Sequence, residues 1–387
     1  MDRPISDKPD MSRVWRRRIR DGLQTFRRQL RRLARSPRGV IDYARYRRAL
    51  RRQDWAALHR MLRPLSQSAL RLRDHQLLVE LGYAALRLDE PQLGVEFLHA
   101  ARSGSRKPDD WRGEPIPDGT LVIRIAEKAS QGLAVGLDAI GHIRAAAARA
   151  ARTVVIVEPR MVPLFQRTLP EVTVLPFGTE LKPHLQGKAV ETDVNDLKFL
   201  IGYDADTVRR LNVPMLADPA ITRTLRDRYQ RGRSIPLVGA SWSSTHYGKD
   251  LPGLEHWAQL IADVPAQFVS LQYGDIANEV TALNGGVPER LVVDPEIDQL
   301  KDMDSFASQI AALDLVVSIS NSGAHLAGAL GQRMILVRDD LFRRNWSYLS
   351  GQVPWYPRTS VIGKDGRPWS AAFGDIIAES RKLIGER

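Results

Sequence analysis

The sequence predicts an α/β protein made of two Rossmann-like halves in series, preceded by a short α-helical segment and a basic amphipathic helix. Three observations carry this prediction. From Trp111 onward, short apolar runs alternate with helix-periodic segments, and the alternation restarts at Pro236. Residues 39–108 read as helical hairpins with no strand pattern. The basic charge is concentrated at the front: residues 1–60 hold 19 Lys and Arg against 6 Asp and Glu, whereas the other 327 residues hold 38 against 39. The net charge of +12 over 387 residues therefore belongs to an arm and not to the body. A near-neutral body argues against a nucleic-acid groove running through the core.

Composition removes further classes. There is no cysteine, which excludes a disulfide framework, a thiolate metal site and a thiol nucleophile. No apolar run approaches the length of a membrane span, and residues 1–10 lack the apolar core of a secretory signal. The expected location is cytoplasmic, peripheral on the inner face of a bacterial membrane.

The arm is assigned to residues 1–38. Ile19, Leu23, Phe26, Leu30 and Leu33 recur at steps of four and three and share one helix face, with arginines on the others. Residues 11–38 thus suit an anionic lipid surface, with a solvated arm, a helix packed on the chain's own helical segment and a short coiled coil as the alternatives; nucleic-acid binding is disfavoured because few aromatics are available to stack bases. Ser36-Pro37-Arg38-Gly39 is expected to end this helix. The helical segment, residues 39–108, contains a hairpin at Val40–Gln53 and Trp55–Leu65, with Asp54 as N-cap. A second hairpin carries Leu78, Leu81, Gly82, Gly94, Leu98 and Ala101, which fits a tetratricopeptide-like pattern in which small residues sit where helices cross.

The first α/β half, residues 109–225, is expected to hold strand Leu121–Ile125, a glycine-containing loop, a helix over Asp138–Ala151, and strands Thr153–Val157 and Glu171–Pro176. An irregular bridge over Asp193–Gly232 contains the linker at Ala217-Asp218-Pro219. The second half, residues 226–387, is expected to hold strands Pro236–Trp242, Gln267–Leu271, Leu291–Val293, Leu315–Ile319 and Met334–Val337, with helices Gly253–Val264, Ser305–Ala312 and Ala324–Leu330. Ligands of such sheets sit at the carboxyl ends of the strands.

The most informative stretch is Ser320-Asn-Ser-Gly-Ala-His-Leu-Ala-Gly-Ala-Leu-Gly331, where a buried strand passes through a tight polar turn into a helix. The first amides of that helix lack internal acceptors and lie at the positive end of its dipole, which suits a phosphate. Ser322 has a hydroxyl to donate and His325 lies in the first turn. An ordinary helix cap at Asn321 and a packed histidine at 325 remain the alternatives.

This stretch resembles the signature of bacterial tetratricopeptide-repeat-associated glycosyltransferases. These have the GT-B fold and are related to the heptosyltransferases and, more distantly, to O-linked N-acetylglucosamine transferase. Trp111-Arg-Gly-Glu-Pro115, Ser130-Gln-Gly-Leu133, Phe268–Asp275, Asp294–Ala307 and Pro354-Trp-Tyr-Pro357 are similar to other segments of that family, in the same order, so that the resemblance spans about residues 75–370. It implies metal-independent transfer of a sugar from a nucleotide-sugar donor to a surface-glycan, lipid-linked or protein acceptor, with no cofactor and no metal site. It further implies that Asn321, Ser322, Gly323 and His325 hold the diphosphate and that Lys249 neutralises the departing phosphate. Gln272 and Tyr273 would border the base, with Trp242 at the head of the loop that carries Lys249. Asp304 would lie near the ribose or, with Asp302, cap the helix at Ser305. Trp355 and Tyr356 read as packing residues.

The chain departs from the heptosyltransferase pattern on the acceptor side. The slot for Gly-Asp, whose aspartate is the family's acceptor base, falls on Ala134-Val135, and valine takes no proton. A short gap brings in Asp138, which also reads as a helix N-cap; Glu127 and His142 are further candidates. The competing readings are a catalytically degenerate GT-B protein that binds nucleotide sugar as scaffold or sensor, and a nucleic-acid-binding protein acting through its arm.

Overall fold

The computed structural model describes residues 37–52, 54–102, 110–125, 136–244, 250–285, 289–338, 351 and 353–386. The expected arm helix therefore lies outside the described residues. The chain divides into two compact units, Met1–Ser105 and Arg106–Arg387.

The described part of the first unit holds four helices: α1 (Pro37–Arg52), α2 (Trp55–Arg71), α3 (His75–Arg87) and α4 (Pro91–Arg102). Pro37 stands at the first position of α1, where a missing N–H costs nothing; the expected end of the arm helix just before it lies outside the described residues. Asp54 and Asp74 accept the amides of Ala57 and Leu77 and cap α2 and α3. Helix α2 does not stop at Leu65 but continues to Arg71 with Pro64 inside it. Leu58, Leu62, Leu65 and Ala69 keep one face buried across the proline, and burying such side chains at roughly 1.5–3 kcal/mol each outweighs a proline cost of about 3 kcal/mol. Helices α3 and α4 cross at Gly82 and Gly94, where a Cβ on Gly94 would stand 2.9 Å from the Gly82 carbonyl oxygen.

The second unit contains two parallel sheets. The first is built from β1 (Ile116–Arg124), β2 (Ala150–Val157), β3 (Thr173–Pro176) and β4 (Ala189–Asp193), in the order β3-β2-β1-β4. Helix α5 (Ile140–Ala147) follows a single tight turn at Leu137–Ala139 and is shorter than the Asp138–Ala151 expectation. Alanine content extends the helical signal, but the chain already pairs with β1 at Ala150. Helix α6 (Val162–Thr168) and the edge strand β4 carry little sequence signal; only two of the five β4 residues are buried, in alternation.

The stretch expected to be an irregular bridge forms α7 (Val194–Ile201), α8 (Ala205–Leu211) and α9 (Pro219–Gln230). Asp193, Asp204 and Asp218 cap these three helices, so each start was marked by an N-cap residue although the helices are short.

The second sheet holds β5 (Leu237–Ser241), β6 (Gln267–Ser270), β7 (Leu291–Val292), β8 (Leu315–Ile319), β9 (Met334–Arg338) and β10 (Thr359–Gly363), in the order β10-β9-β8-β5-β6-β7. All its neighbours are parallel. Its first strand lies inside, the next two on one side and the last three on the other, which is the Rossmann order with its reversal between β5 and β8. Helices α10 (Leu254–Asp263), α11 (Ala277–Leu283), α12 (Met303–Ala311), α13 (Ser322–Ala329) and α14 (Trp369–Gly385) complete it. Strands β5, β6 and β8 are buried at every position, as a sheet covered on both faces requires. Trp257, Phe268 and Phe373 anchor the core, and α14 contributes Trp369, Ile376 and Ile377 to it. No helix among the described residues is long and apolar enough to cross a membrane.

Candidate active site

The carboxyl ends of β5, β6 and β8 meet where the strand order reverses, and one hydrogen-bonded network ties them together. Gln272, just past β6 and 4% exposed, presents Oε1 to three donors. These are Ser241 Oγ at 3.1 Å, the Trp242 amide at 3.1 Å and the Ser243 amide at 2.8 Å. Ser241 Oγ in turn accepts from Asn321 Nδ2 at 2.8 Å, and Asn321 Oδ1 caps α13 by accepting the Ala324 amide at 2.9 Å. Asn321 is extended and turns the chain from β8 straight into α13. The amides of Ser322 and Gly323 then stand at the helix start, where no intrahelical acceptor exists. Ser322 and Gly323 are half-buried. The turn into α13 is held by the Asn321 side chain, which is tied through Ser241 to Gln272, and a turn fixed in this way is pre-organised for an anion, since its donors need no rearrangement to meet one.

The first half contributes a carboxylate beside this helix. The turn at Leu137–Ala139 packs against α13. Asp138 does not cap α5. Its Oδ2 instead accepts from Lys198 Nζ of α7 at 2.6 Å and from the Tyr203 hydroxyl at 2.5 Å. The Asp138 and Lys198 side chains are 17% and 10% exposed. Burial works to raise the Asp138 carboxyl. The Lys198 charge, with the hydrogen bonds from Lys198 and Tyr203 and a smaller contribution from His325, outweighs it and holds the group below the usual carboxylate range. Asp138 is therefore ionised at neutral pH. Its second oxygen makes no hydrogen bond to the described residues, and the side chain borders a narrow crevice of about 10 Å³ with Leu211, Asn212, Ala329 and Trp355.

Aromatic residues link the halves around this carboxylate. Tyr203 stacks on Trp355 with ring centres 6.1 Å apart. Tyr356 stands edge-on to His325 at 5.9 Å, and His325 Nδ1 lies 3.3 Å from its hydroxyl. Burial, and then the Asp138 charge, push the Tyr356 hydroxyl far up, so it stays protonated. Gly328 makes room for this ring: a Cβ there would lie 2.4 Å from Tyr356 Cγ. Trp355 and Tyr356 are both buried and pack as expected from the sequence. The halves are tied again where the Met215 amide donates to the Ala329 carbonyl at 2.7 Å.

Other expected residues take different places. Asp304 offers both carboxylate oxygens to Arg167 of α6, at 2.5 and 2.7 Å, so in this conformation it fastens the first half to α12. Asp302, not Asp304, caps α12, accepting the amides of Asp304 and Ser305. The Trp242 side chain is 3% exposed within the second-half core, its indole N–H on Glu279. Tyr273 is half-buried beyond β6 and its carbonyl receives Gln272 Nε2 at 3.4 Å. His142 is buried with Nε2 2.8 Å from the Gly202 carbonyl oxygen, and burial lowers its pKa. Lys249, Glu127 and the Ala134-Val135 slot lie outside the described residues.

Sequence reasoning missed Lys198, Tyr203, Ser241 and Arg167. Lys198 had a signal: it interrupts the apolar run of Val194-Asn-Asp-Leu-Lys-Phe-Leu-Ile201, where a lysine points to a buried partner. The others have no local signature, because their partners lie 31 or more positions away along the chain.

Comparison with known proteins adds the following. No family model matches the chain. Protein FlbA of Caulobacter vibrioides is 26% identical over 243 residues, covering 58% of this chain and 40% of FlbA. The match thus takes in well under half the length of that relative. Among solved structures, a glycosyl transferase family 9 protein from Veillonella parvula aligns with a TM-score of 0.49 at 9% identity, over 72% of this chain and 100% of its own. The ADP-heptose lipopolysaccharide heptosyltransferase II of E. coli aligns with a TM-score of 0.48 at 13% identity, over 69% and 98%.

Proposed function

We propose that this chain is a glycosyltransferase of the GT-B type, moving a sugar from a nucleotide-sugar donor to an acceptor hydroxyl without a metal ion. The observation that carries the reading is the juxtaposition at α13. A braced loop opens on the helix N-terminus from the second half, and an ionised carboxylate of the first half lies beside the same helix. The donor diphosphate would take the amides of Ser322 and Gly323 and the Ser322 hydroxyl, with Lys249 adding positive charge and His325 a hydrogen bond. An acceptor oxygen attacks the anomeric carbon as the bond from that carbon to the diphosphate oxygen breaks. The acceptor proton passes to the second oxygen of Asp138, and the nucleoside diphosphate leaves with its charge held by the helix start. Asp138 would then serve in place of the aspartate missing at Ala134-Val135. Lys198 and Tyr203 fix the other oxygen and so orient it. Gln272 acts by bracing the loop after β5, Tyr273 would border the base, and Asp304 acts through its clamp on Arg167. The acceptor is a surface-glycan, lipid-linked or protein hydroxyl, and residues 11–38 would hold the enzyme to an anionic membrane surface on its cytoplasmic side.

The test is a thermal-shift panel of UDP, GDP, ADP, CMP and dTDP sugars, followed by a transfer assay with any donor that binds. Binding to the native state raises the melting temperature, and the Asn321→Ala variant should lose most of that rise. No shift with any donor would sink the nucleotide-sugar reading. Binding without transfer in the wild type would reduce the protein to a nucleotide-sugar scaffold or sensor.

A further inference from the structure

The helical unit contains a basic cleft that the proposed sugar transfer does not use. Helices α1 and α2 flank an open cleft of about 490 Å³. Four arginines line it: Arg45, Arg48 and Arg52 from α1 and Arg60 from α2. All four are exposed, and none enters an ion pair recorded among the described residues. Arg47, on another face of the same helix, does pair, with Glu80 at 3.2 Å. Asp42 and Asp54 also line the cleft, and one Asp54 oxygen is occupied in capping α2. The lining thus carries four positive charges against two negative.

The apolar residues around the cleft narrow the choice of anion. Ile41 precedes Arg45, Arg48 and Arg52 at steps of four, three and four, which places all of them on one stripe of α1. Ile41 is 53% exposed, a large apolar side chain left in water at the end of a basic row. Met61 and Ala49 form part of the lining, which has no aromatic ring. Nucleic-acid grooves of this kind interleave basic groups with aromatics that stack bases. Phospholipid head groups ask for the arrangement seen here, with guanidiniums for phosphate and an aliphatic side chain to enter the headgroup boundary.

We propose that the cleft between α1 and α2 is a docking site for the phosphate head groups of an anionic phospholipid surface, separate from the arm at residues 11–38. The proposal is independent of the glycosyltransferase reading and survives its failure.

The experiment uses the full chain with its arm intact in every variant. Flotation is measured with vesicles of phosphatidylglycerol in phosphatidylcholine and with phosphatidylcholine alone. The triple variant Arg48→Gln, Arg52→Gln, Arg60→Gln is compared with a charge-matched control, Arg51→Gln, Arg63→Gln, Arg71→Gln, whose exposed arginines lie outside the cleft. A basic side chain near an anionic surface is worth roughly fivefold in affinity, so the cleft triple should lose on the order of 100-fold and the control far less. Melting temperatures of both triples close to that of the wild type show that the fold is intact, as substitution of exposed side chains should allow. Equal loss in the two triples, or no loss in the cleft triple, overturns the proposal. It is also overturned if the wild type binds phosphatidylcholine as well as the anionic vesicles, or if the cleft triple keeps vesicle binding while losing binding to a single-stranded oligonucleotide. The single variant Ile41→Ser should weaken vesicle flotation without changing oligonucleotide binding; the reverse pattern counts against a lipid surface.

Discussion

Replacing Lys198 with methionine tests the electrostatics of the first-half carboxylate directly. The substitution keeps an unbranched side chain of similar length in α7 and removes the ammonium group, with its charge and its hydrogen bond to Asp138. Asp138 then keeps the Tyr203 hydrogen bond but loses the nearby cation that offsets its burial. Removing one member of a buried ion pair costs roughly 3–5 kcal/mol. Both side chains are less than one fifth exposed, so solvent screening takes little from that figure, while the retained Tyr203 hydrogen bond places the expectation near about 3 kcal/mol at pH about 7. The sign of the pH dependence follows from the direction of the shift. In the wild type the Asp138 pKa is below its unfolded value, so its contribution is present above that unfolded value and is lost as pH falls through the folded one. In the variant, burial acts unopposed by Lys198 and raises the pKa, so acidification relieves the penalty. Urea denaturation of both proteins at pH about 7 and about 4.5 should therefore show a destabilisation that shrinks on acidification, at unchanged m. Adding Asp138→Asn should recover much of the loss at neutral pH. A penalty below about 0.5 kcal/mol at neutral pH, or one indifferent to pH, would refute the account of Asp138 as an ionised group held by Lys198.

Two further substitutions probe how the site is built. Gln272→Met keeps the shape of the side chain and removes the acceptor shared by Ser241 Oγ and the amides of Trp242 and Ser243. With the Trp242 amide left buried and unpaired at about 1–3 kcal/mol, we expect a total loss of about 2–4 kcal/mol in urea titration and weaker donor binding; a variant that binds donor as the wild type does would contradict the bracing role. Gly328→Ala gains about 1 kcal/mol in helix propensity. Its Cβ, however, meets the buried Tyr356 ring at 2.4 Å, and overpacking typically costs about 1–3 kcal/mol. A melting temperature lowered by a few degrees is expected, whereas an increase would show that the ring moves freely.

The parts of this protein that were legible in its sequence rest on short-range physics. Apolar runs bounded by turn residues placed β5 through β9 to within a residue or two, because strands buried on both faces need continuous apolar sequence. Asn321, Ser322 and Gly323 were readable as a helix start because a cap is local. The edge strand β4 was not readable, since half of it faces outward and carries no apolar run. Nor was the extension of α2 through Pro64, where a buried face outweighs a local breaker.

What the sequence by itself determined is therefore the buried strands of the second half, the basic charge at the front of the chain and the turn at the end of β8, all products of neighbouring residues. What only the tertiary structure decided is which side chains share a site. Asp138 reads as a helix cap in its own neighbourhood; it becomes a buried anion because Lys198 and Tyr203 arrive from 60 and 65 positions away. Asp304 likewise reads as a capping or ribose-binding residue until Arg167, 137 positions distant, claims both its oxygens. The physical reason is the same in each case. A charge inside a low-dielectric interior is governed by the partner that offsets its desolvation, and that partner is chosen by the fold and not by the adjacent sequence.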